Sequence, residues 1–180
     1  MSSRSEDPAA IRPRADEHLP YYGPYIECVP DGSVIDRLRA QGDSTRDLLR
    51  AVPEGVANSR YAPGKWSLKE VVGHLIDSER VFALRALAFA RAERAPLFGF
   101  EQDEWVAAAG FDRRPIADLR EEFATVRAAT ISLLRGLNEE QWGRRGVAND
   151  AECSVRAAAW IIAGHEAHHL GVIRERYLGR

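Results

Sequence analysis

Cysteine is scarce in this chain of 180 residues, which contains only two. Cys28 and Cys153 lie far apart and form no CxxC motif, so a disulfide framework or a cysteine-based zinc site has little support. Lysine is also rare, because Lys65 and Lys69 are the only two, while arginine and alanine are abundant. We interpret this bias as the mark of a GC-rich genome rather than of a particular chemistry.

Long apolar runs are missing as well. No segment approaches the ~20 consecutive apolar residues that a membrane-spanning helix needs. The N-terminus contains acidic side chains and no apolar stretch, which argues against a secretory signal and makes the cytoplasm the expected location. The net charge of −2 gives no indication of a nucleic-acid or anionic membrane partner, so we expect a small-molecule substrate.

Several common catalytic motifs are also absent. The sequence contains no GxSxG motif, no GxxxxGK[ST] motif and no GxGxxG motif. A serine hydrolase, a P-loop nucleotidase and a dinucleotide-binding domain are therefore not indicated.

The sequence does contain four amphipathic helical patterns, in which apolar residues recur at spacings of three and four. The predicted helices cover 33–52, 67–94, 115–137 and 154–178. Ser67 and Glu70 form a capping box at the start of the second helix, and Ser154 is a suitable N-cap for the last. No strand is predicted. The expected fold is therefore all-α, a four-helix bundle with long loops.

The composition of the remaining segments predicts their roles. Residues 1–12 are predicted to be a flexible tail, and 13–180 a single domain. Residues 13–32 are predicted to be an extended lead-in that packs on the body, because Tyr21, Tyr22, Tyr25 and Ile26 are too apolar to remain exposed. Residues 95–114 and 138–153 are predicted to be connections, and a connection as long as the first is often functional.

Three histidines carry most of the chemical information. His165 and His169 are four residues apart, which places them one turn apart on the same face of the last helix. His74 points inward from the second helix, whereas His168 lies about 100° from His169 around the helix axis. Three imidazoles from facing helices can hold one metal ion and leave positions free for water or substrate, which is typical of catalytic sites. The alternative is three core histidines satisfied by hydrogen bonds.

Arg85, Asp77 and Asp103 are candidate catalytic residues. Arg85 lies three turns after His74 and would hold an anionic substrate, or would extend along the bundle edge to reach water. Asp77, like Glu79, would orient a histidine or would simply be solvated. Asp103 lies in the 95–114 connection with Gln102 and Trp105, and these three would line the mouth of a pocket or only cap the bundle. Glu166 follows a candidate ligand but points about 100° away from it.

Two segments resemble a known family. The runs KWSLKEVVGHLIDSERVF and AAWIIAGHEAHHLGVIRERYL are similar to the DinB-like (damage-inducible B) superfamily of metal-binding four-helix bundles. The first has the tryptophan, the serine cap and the helix-two histidine of that family, and the second has its HxxxH motif. The resemblance implies a ligand triad of His74, His165 and His169, and it also implies a homodimer.

The resemblance also implies an activity, because the superfamily includes bacillithiol S-transferases, a mycothiol-dependent isomerase and proteins regarded as metal-dependent hydrolases. We therefore expect a divalent-metal-dependent transferase that activates a low-molecular-weight thiol against an electrophile. Neither cysteine of the chain lies near the histidines, so such a thiol has to be a cosubstrate. The alternatives are a hydrolase that uses metal-bound water and a non-catalytic metal-holding stress or binding protein. Zinc and nickel both suit imidazole ligands.

Overall fold

Four long helices dominate the computed structural model, which describes residues 7–179. In chain order the α-helices are α1 (Gly23–Glu27), α2 (Val34–Arg50), α3 (Glu54–Ala57), α4 (Leu68–Ala90), α5 (Gln102–Ala109), α6 (Ile116–Arg135), α7 (Glu139–Gly143) and α8 (Val155–Val172). A π-helical turn, Ile173–Tyr177, continues α8. The four predicted helices are thus confirmed as α2, α4, α6 and α8.

The four long helices form a bundle in which each packs against two others. Helix α2 packs against α6 and α8, and α4 packs against the same two helices. Consequently α2 and α4, which are consecutive long helices in the chain, lie on opposite corners of the bundle. This arrangement makes α4 and α8 direct neighbours, and these are the helices that carry the three histidines.

Helix α4 begins and ends through identifiable local interactions. The Ser67 hydroxyl accepts a hydrogen bond from the Glu70 amide (3.1 Å) and the Glu70 carboxylate accepts one from the Ser67 amide (2.7 Å), which confirms the predicted capping box. The helix ends at Ala90, four residues before the predicted end. Ala92 adopts a left-handed conformation (φ 61°), and the amide of Glu93 donates to the Ala88 carbonyl (2.9 Å). This Schellman-type closure ends the helix before Pro96 is reached.

The N-terminal segment packs on the bundle as a series of short helical turns. The 3₁₀-helices Ala15–Glu17 and Pro20–Tyr22 lead into α1, which lies against α8. Packing of the segment was predicted, but its extended conformation was wrong. Residues 7–12 also differ from the predicted flexible tail, because Ala9 is buried and the Arg12 guanidinium donates to the carbonyl of Ile26 (2.6 Å). The rest of that predicted tail, residues 1–6, lies outside the described residues.

A β-hairpin occupies part of the predicted 138–153 connection, so the prediction of no strand was wrong. Strands β1 (Arg145–Ala148) and β2 (Ala151–Ser154) pair antiparallel, with Ala148 opposite Ala151. Asn149 and Asp150 form the two-residue turn, and both have positive φ (53° and 58°). Asn and Asp tolerate that conformation, which hairpin turns of this kind require. The Leu97 amide donates to the Val147 carbonyl (2.9 Å), so the hairpin supports the start of the 95–114 connection.

The core consists of two apolar clusters with a polar layer between them along the helices. One cluster includes Phe82, Phe89, Trp142 and Trp160, and the other includes Leu49, Phe111, Leu119 and Phe123. The polar side chains between the two clusters come from all four long helices and comprise Thr45, His74, Ser78, Glu79, Arg127, Thr130, His165, Glu166 and His169. Because buried polar groups need partners, this layer is the part of the bundle where a site is expected.

None of the helices within residues 7–179 combines the length and apolar character that crossing a membrane requires.

Candidate metal centre

The three predicted histidines converge in the polar layer. The Nε2 atom of His165 lies 3.0 Å from Nε2 of His74 and 3.1 Å from Nε2 of His169. One ligand atom from each of the three residues lies within 4.8 Å of the other two. Ligand nitrogens bound at about 2.1 Å to a tetrahedral ion lie about 3.4 Å apart, so the separations of 3.0 and 3.1 Å are close to those of a metal site.

On both α4 and α8, a glycine directly precedes one of the histidines, and it allows another segment of the chain to pack close to the site. A Cβ atom on Gly164 would lie 2.0 Å from the carbonyl oxygen of Tyr25, and one on Gly73 would lie 2.3 Å from the ring of Phe111. The absence of a side chain therefore lets α1 lie against α8 beside His165. In the same way, Phe111 packs against α4 beside His74.

Burial keeps the three histidines neutral at physiological pH. Desolvation lowers the pKa of His74 to about 4 and that of His169 to about 3, and it also lowers the pKa of His165 well below its ordinary value. A neutral imidazole has one N–H group and one free lone pair. The Nδ1 atom of His74 faces the Ser78 hydroxyl at 3.4 Å, an arrangement that leaves its Nε2 directed at the other histidines.

The chemistry of these nitrogens fits a cation better than a set of hydrogen bonds. His165 Nε2 faces two other Nε2 atoms, yet it can carry at most one proton when the ring is neutral. If the histidines were only hydrogen-bonded to one another, His165 Nε2 would therefore form one hydrogen bond, and its contact with the other histidine would lack a well-formed bond. A divalent ion, in contrast, accepts a lone pair from each of the three nitrogens, and neutral imidazole is a preferred ligand of zinc and nickel.

A first cleft, of about 330 Å³, reaches His74 and His165 from the side of the N-terminal segment. We call it the tyrosine cleft, because Tyr21, Tyr22 and Tyr25 form one wall. Its other lining residues are Leu19, Ser78, Phe82, Phe100, Glu101, Gln102 and Asn149. The ring of Tyr25 packs edge-on against His165, with 5.5 Å between ring centroids.

A second cleft, of about 340 Å³, reaches His169 from the opposite end of α4. We call it the tryptophan cleft, because Trp66 lies in its wall and packs against the ring of His74, with 4.9 Å between ring centroids. The remaining lining residues are Tyr61, Gly64, Lys65, Val71, Asp103, His168, Val172 and Tyr177. Trp66 therefore borders the site.

The 95–114 connection contributes to both clefts through α5. Gln102 lines the tyrosine cleft, and Asp103 lines the tryptophan cleft close enough to His74 to oppose the fall of its pKa. Trp105 packs on Phe100, with 4.9 Å between ring centroids, and stays 38% exposed. This connection therefore lies at the pocket mouths, which was one of the two expectations for it.

The acidic candidates other than Asp103 have different partners. Asp77 lies 3.5 Å from Arg80 and makes no hydrogen bond to a histidine within residues 7–179, so the expectation that it orients one is not supported. Glu79 binds the guanidinium of Arg127 with both carboxylate oxygens (2.9 and 2.8 Å). Glu166 contacts the same guanidinium at 2.7 Å and points away from the site, as its helical position predicts.

Arg85 and His168 also take definite positions. Arg85 is only 4% exposed, so of its two alternatives the one in which it extends to water at the bundle edge is not supported. His168 is exposed, packs edge-on against Tyr25 (5.4 Å between ring centroids) and stays outside the histidine cluster.

Several residues of the clefts were not singled out from the sequence. These residues come from separate segments that only tertiary folding brings together, and they are Phe100, Asn149, Tyr61 and Tyr177. The tyrosines of the lead-in had a visible signal, because a cluster of aromatic residues in a Pro- and Gly-rich segment needs an apolar surface to cover. That signal indicated packing, and it did not indicate that the packed surface borders the histidines.

Sequence comparison connects this geometry to a family. A profile of the DinB superfamily matches residues 37–173, which include all three histidines. The chain belongs to the DinB superfamily. A search of curated protein sequences gave no significant match.

Solved structures show the same fold. YfiT from Bacillus subtilis, a probable metal-dependent hydrolase with an unusual four-helix bundle topology, superposes with a TM-score of 0.70 at 19% identity over 94% of each chain. A mycothiol-dependent maleylpyruvate isomerase superposes with a TM-score of 0.63 at 14% identity, over 81% of this chain and 61% of that one. A DinB-like protein of Bacillus subtilis, YjoA, gives 0.57 at 21% identity, over 82% and 92%.

Proposed function

We propose that this DinB superfamily protein is a metal-dependent enzyme in which His74, His165 and His169 hold one divalent ion. The observation that carries the proposal is the convergence of nitrogens from three neutral histidines, one buried and two half-buried, at a point that two open clefts reach. Such an ion supplies positive charge that lowers the pKa of a bound thiol or water and polarises an oxygen atom. Zinc and nickel are the metals that we propose.

We further propose that the reaction transfers a low-molecular-weight thiol to an electrophilic small molecule. The protein's own thiols are poor nucleophiles, because burial raises the pKa of Cys153 to about 12 and also raises that of Cys28. The thiol is therefore supplied as a cosubstrate. Two clefts on different sides of the histidines provide separate approaches for two substrates, which a transferase needs.

In this arrangement the chain's own residues bind and orient the substrates. Tyr25 and Trp66 pack against the rings of His165 and His74, so they hold the imidazoles in place and exclude water from one side of each ring. Asp103 lies in the tryptophan cleft, and we assign to it the role of accepting the proton of an arriving thiol.

Hydrolysis is the second candidate function, and the match to YfiT over 94% of both chains favours it. In that case water replaces the thiol and one cleft suffices for the substrate. The non-catalytic alternative, a metal-holding stress or binding protein, fits less well, because each of the two clefts has a volume of about 330 Å³ or more.

Turnover with defined probes distinguishes these functions. The zinc- or nickel-loaded protein is incubated with cysteine-derived thiols and monochlorobimane. In the reaction between them, the thiol sulfur forms a C–S bond with the bimane carbon, chloride leaves and the thiol proton passes to solvent. We expect fluorescence to rise faster than in the uncatalysed reaction, and the His165→Ala variant to give only the background rate. Release of nitrophenol from nitrophenyl esters without any thiol would instead support hydrolysis, and no acceleration of either reaction would contradict both enzymatic functions.

The homodimer implied by the family resemblance remains a prediction. Light scattering on the purified protein tests it, because a dimer has twice the 20.1 kDa mass of the chain.

A further inference from the structure

Helix α8 does not continue as a regular α-helix after the histidines. In the π-helical turn Ile173–Tyr177, the Leu178 amide donates to the Ile173 carbonyl five residues earlier (3.2 Å), whereas an α-helix uses the carbonyl four residues earlier. A π-turn thus contains one more residue than an α-turn. Such turns are rare and occur frequently at functional sites, so this one needs an explanation.

The extra residue changes which side chain faces the tryptophan cleft. In a regular α-helix, Arg176 would lie about two turns after His169 on the same face. In the structure Arg176 is exposed instead, and Tyr177, one position later, is half-buried and lines this cleft together with His169. The π-turn therefore puts a neutral phenol in the cleft wall in place of a guanidinium, whose charge would repel a divalent ion.

The Tyr177 phenol forms a defined contact in the wall of the cleft. Its hydroxyl donates to the carbonyl of Trp66 (2.6 Å), which is within the usual range for an O–H···O bond. Burial raises the pKa of Tyr177 to about 12, so the hydroxyl keeps its proton at physiological pH and remains a donor. The contact joins the end of α8, which carries two of the histidines, to the segment that leads into α4, which carries the third.

Trp66 is the residue through which this contact reaches the histidines. Its ring packs against the imidazole of His74, with 4.9 Å between ring centroids, and its backbone directly precedes Ser67, the N-cap of α4. The contact of His74 Nδ1 with the Ser78 hydroxyl is 3.4 Å long, beyond the ~3.2 Å limit of a well-formed N–H···O bond, so it fixes the ring only weakly. The orientation of His74 therefore depends on the packing of Trp66.

From this geometry we propose that Tyr177 is a positioning residue for the metal centre, and that the π-turn serves to place it. Its hydrogen bond holds Trp66 against His74, and this directs His74 Nε2 toward Nε2 of His165. The inference rests on the proposed function, because it explains how the ligand of α4 is aligned with the two ligands of α8. Contacts that orient metal-binding histidines typically change metal affinity by about 10–100-fold when they are removed.

Removal of a single hydroxyl group tests the proposal. Tyr177→Phe keeps the ring that packs edge-on against Tyr61 (5.3 Å between ring centroids) but loses the donor. Tyr61→Phe is the matched control, because it removes the same group from the neighbouring ring. The Kd for zinc, measured by competition with a chromophoric chelator, is expected to rise about tenfold in Tyr177→Phe and to stay unchanged in Tyr61→Phe.

The NMR signals of the His74 ring in the metal-free protein give a second readout, which a general loss of stability would not produce. The ring current of Trp66 shifts these signals, and His74→Ala identifies them. Because the pKa of His74 is about 4, the imidazole is neutral at pH 7, and a changed signal reports movement rather than protonation. We expect the signals to move in Tyr177→Phe and to stay in place in Tyr61→Phe.

An unchanged zinc Kd in Tyr177→Phe, or unchanged His74 signals, would overturn the proposal, and so would equal changes in the two variants. Failure of the proposed function has a different appearance, because the wild type then binds no zinc. In that case the His74 signals of the metal-free proteins still decide whether Tyr177 positions the ring.

Discussion

At the scale of single residues, neither cysteine of the protein has the lowered pKa of an activated thiol. Cys153 is 8% exposed, and burial raises its pKa to about 12. Cys28 is exposed, but partial burial of its sulfur still raises the pKa, and its thiol donates to the Tyr25 carbonyl (3.0 Å). Because the thiolate is the reactive form, both residues are expected to be slow nucleophiles.

Alkylation measures this directly. With iodoacetamide at pH 8, Cys28 should react more slowly than cysteine in an unstructured peptide, since a raised pKa leaves less thiolate at that pH. Cys153 should stay unmodified until the protein is unfolded in denaturant. Mass spectrometry of the labelled peptides follows each residue, and a Cys28 that reacts faster than the free peptide would argue against an external thiol.

Single residues also mark the limit of what the sequence predicts. The spacing of His165 and His169 on one helix face was sufficient to place two members of the cluster, and the inward stripe of α4 placed His74. The burial of Arg85 was not predictable, because a long side chain beside an apolar stripe either buries its charge or extends it to water, and only the surrounding elements decide which.

At the scale of elements, the approach of α1 to α8 depends on Gly164. A Cβ at this position would lie 2.0 Å from the Tyr25 carbonyl oxygen, and backbone atoms on both sides leave little freedom to adjust. Because Tyr25 packs on His165, any displacement of α1 also changes the wall of the tyrosine cleft.

Substitution of this glycine tests the close approach. We expect Gly164→Ala to destabilise the protein by about 1–3 kcal/mol in urea unfolding, as overpacking in a tight interior does. Gly171→Ala is the control, since this residue is on the same helix with no atom within 4 Å of the added Cβ, and it should be neutral or stabilise by up to about 1 kcal/mol through helix propensity. Equal effects of the two substitutions would show that the contact has no special importance.

The charged network of the polar layer links four elements. Thr45 of α2 donates to Glu166 of α8 (2.6 Å), and Arg127 of α6 joins Glu166 to Glu79 of α4. Each long helix thus contributes one member, and every carboxylate has a positive or hydroxyl partner. A buried network of this kind fixes how the helices sit relative to one another when all its members are satisfied.

Removal of the central arginine is therefore expected to be costly. Arg127→Met leaves two carboxylates buried without a cation, and we expect it to lower the free energy of unfolding by about 3–5 kcal/mol. The exposed pair of Arg50 and Asp47 supplies the control, because Arg50→Met should change stability by less than about 1 kcal/mol. Urea unfolding of the metal-free proteins gives both values, and a neutral Arg127→Met would show that the network does not stabilise the bundle.

Elements differ in how far the sequence reveals them. The four long helices have sustained apolar periodicity and capping residues such as Ser67 and Ser154, so their positions were predicted to within a few residues. The hairpin has strands of only four residues, which are too short for an alternation of apolar and polar residues to stand out. Its Asn149–Asp150 turn is also a weaker sequence signal for a hairpin than the Asn-Gly dipeptide. Helix α5 is likewise short, with eight residues.

At the scale of the whole molecule, a polar layer separates two apolar clusters in a bundle whose consecutive long helices α2 and α4 lie on opposite corners. That topology sets α4 beside α8 and thereby brings His74 to the HxxxH pair. The periodicity of the sequence predicted four helices, but it did not specify which of them are neighbours, because each apolar face can pack against several partners. Three histidines and two clefts meet around this layer as a result.

All of the proposed chemistry depends on a metal ion held by these three histidines. Mass spectrometry of the metal content of the untagged protein, after exposure to zinc or nickel and dialysis, measures this directly, with His165→Ala as the test variant and His168→Ala as the matched control. We predict about one divalent ion per chain in the wild type and in His168→Ala, and none in His165→Ala. An absence of metal in the wild type, or equal metal in all three proteins, would contradict the triad and the proposed enzyme together.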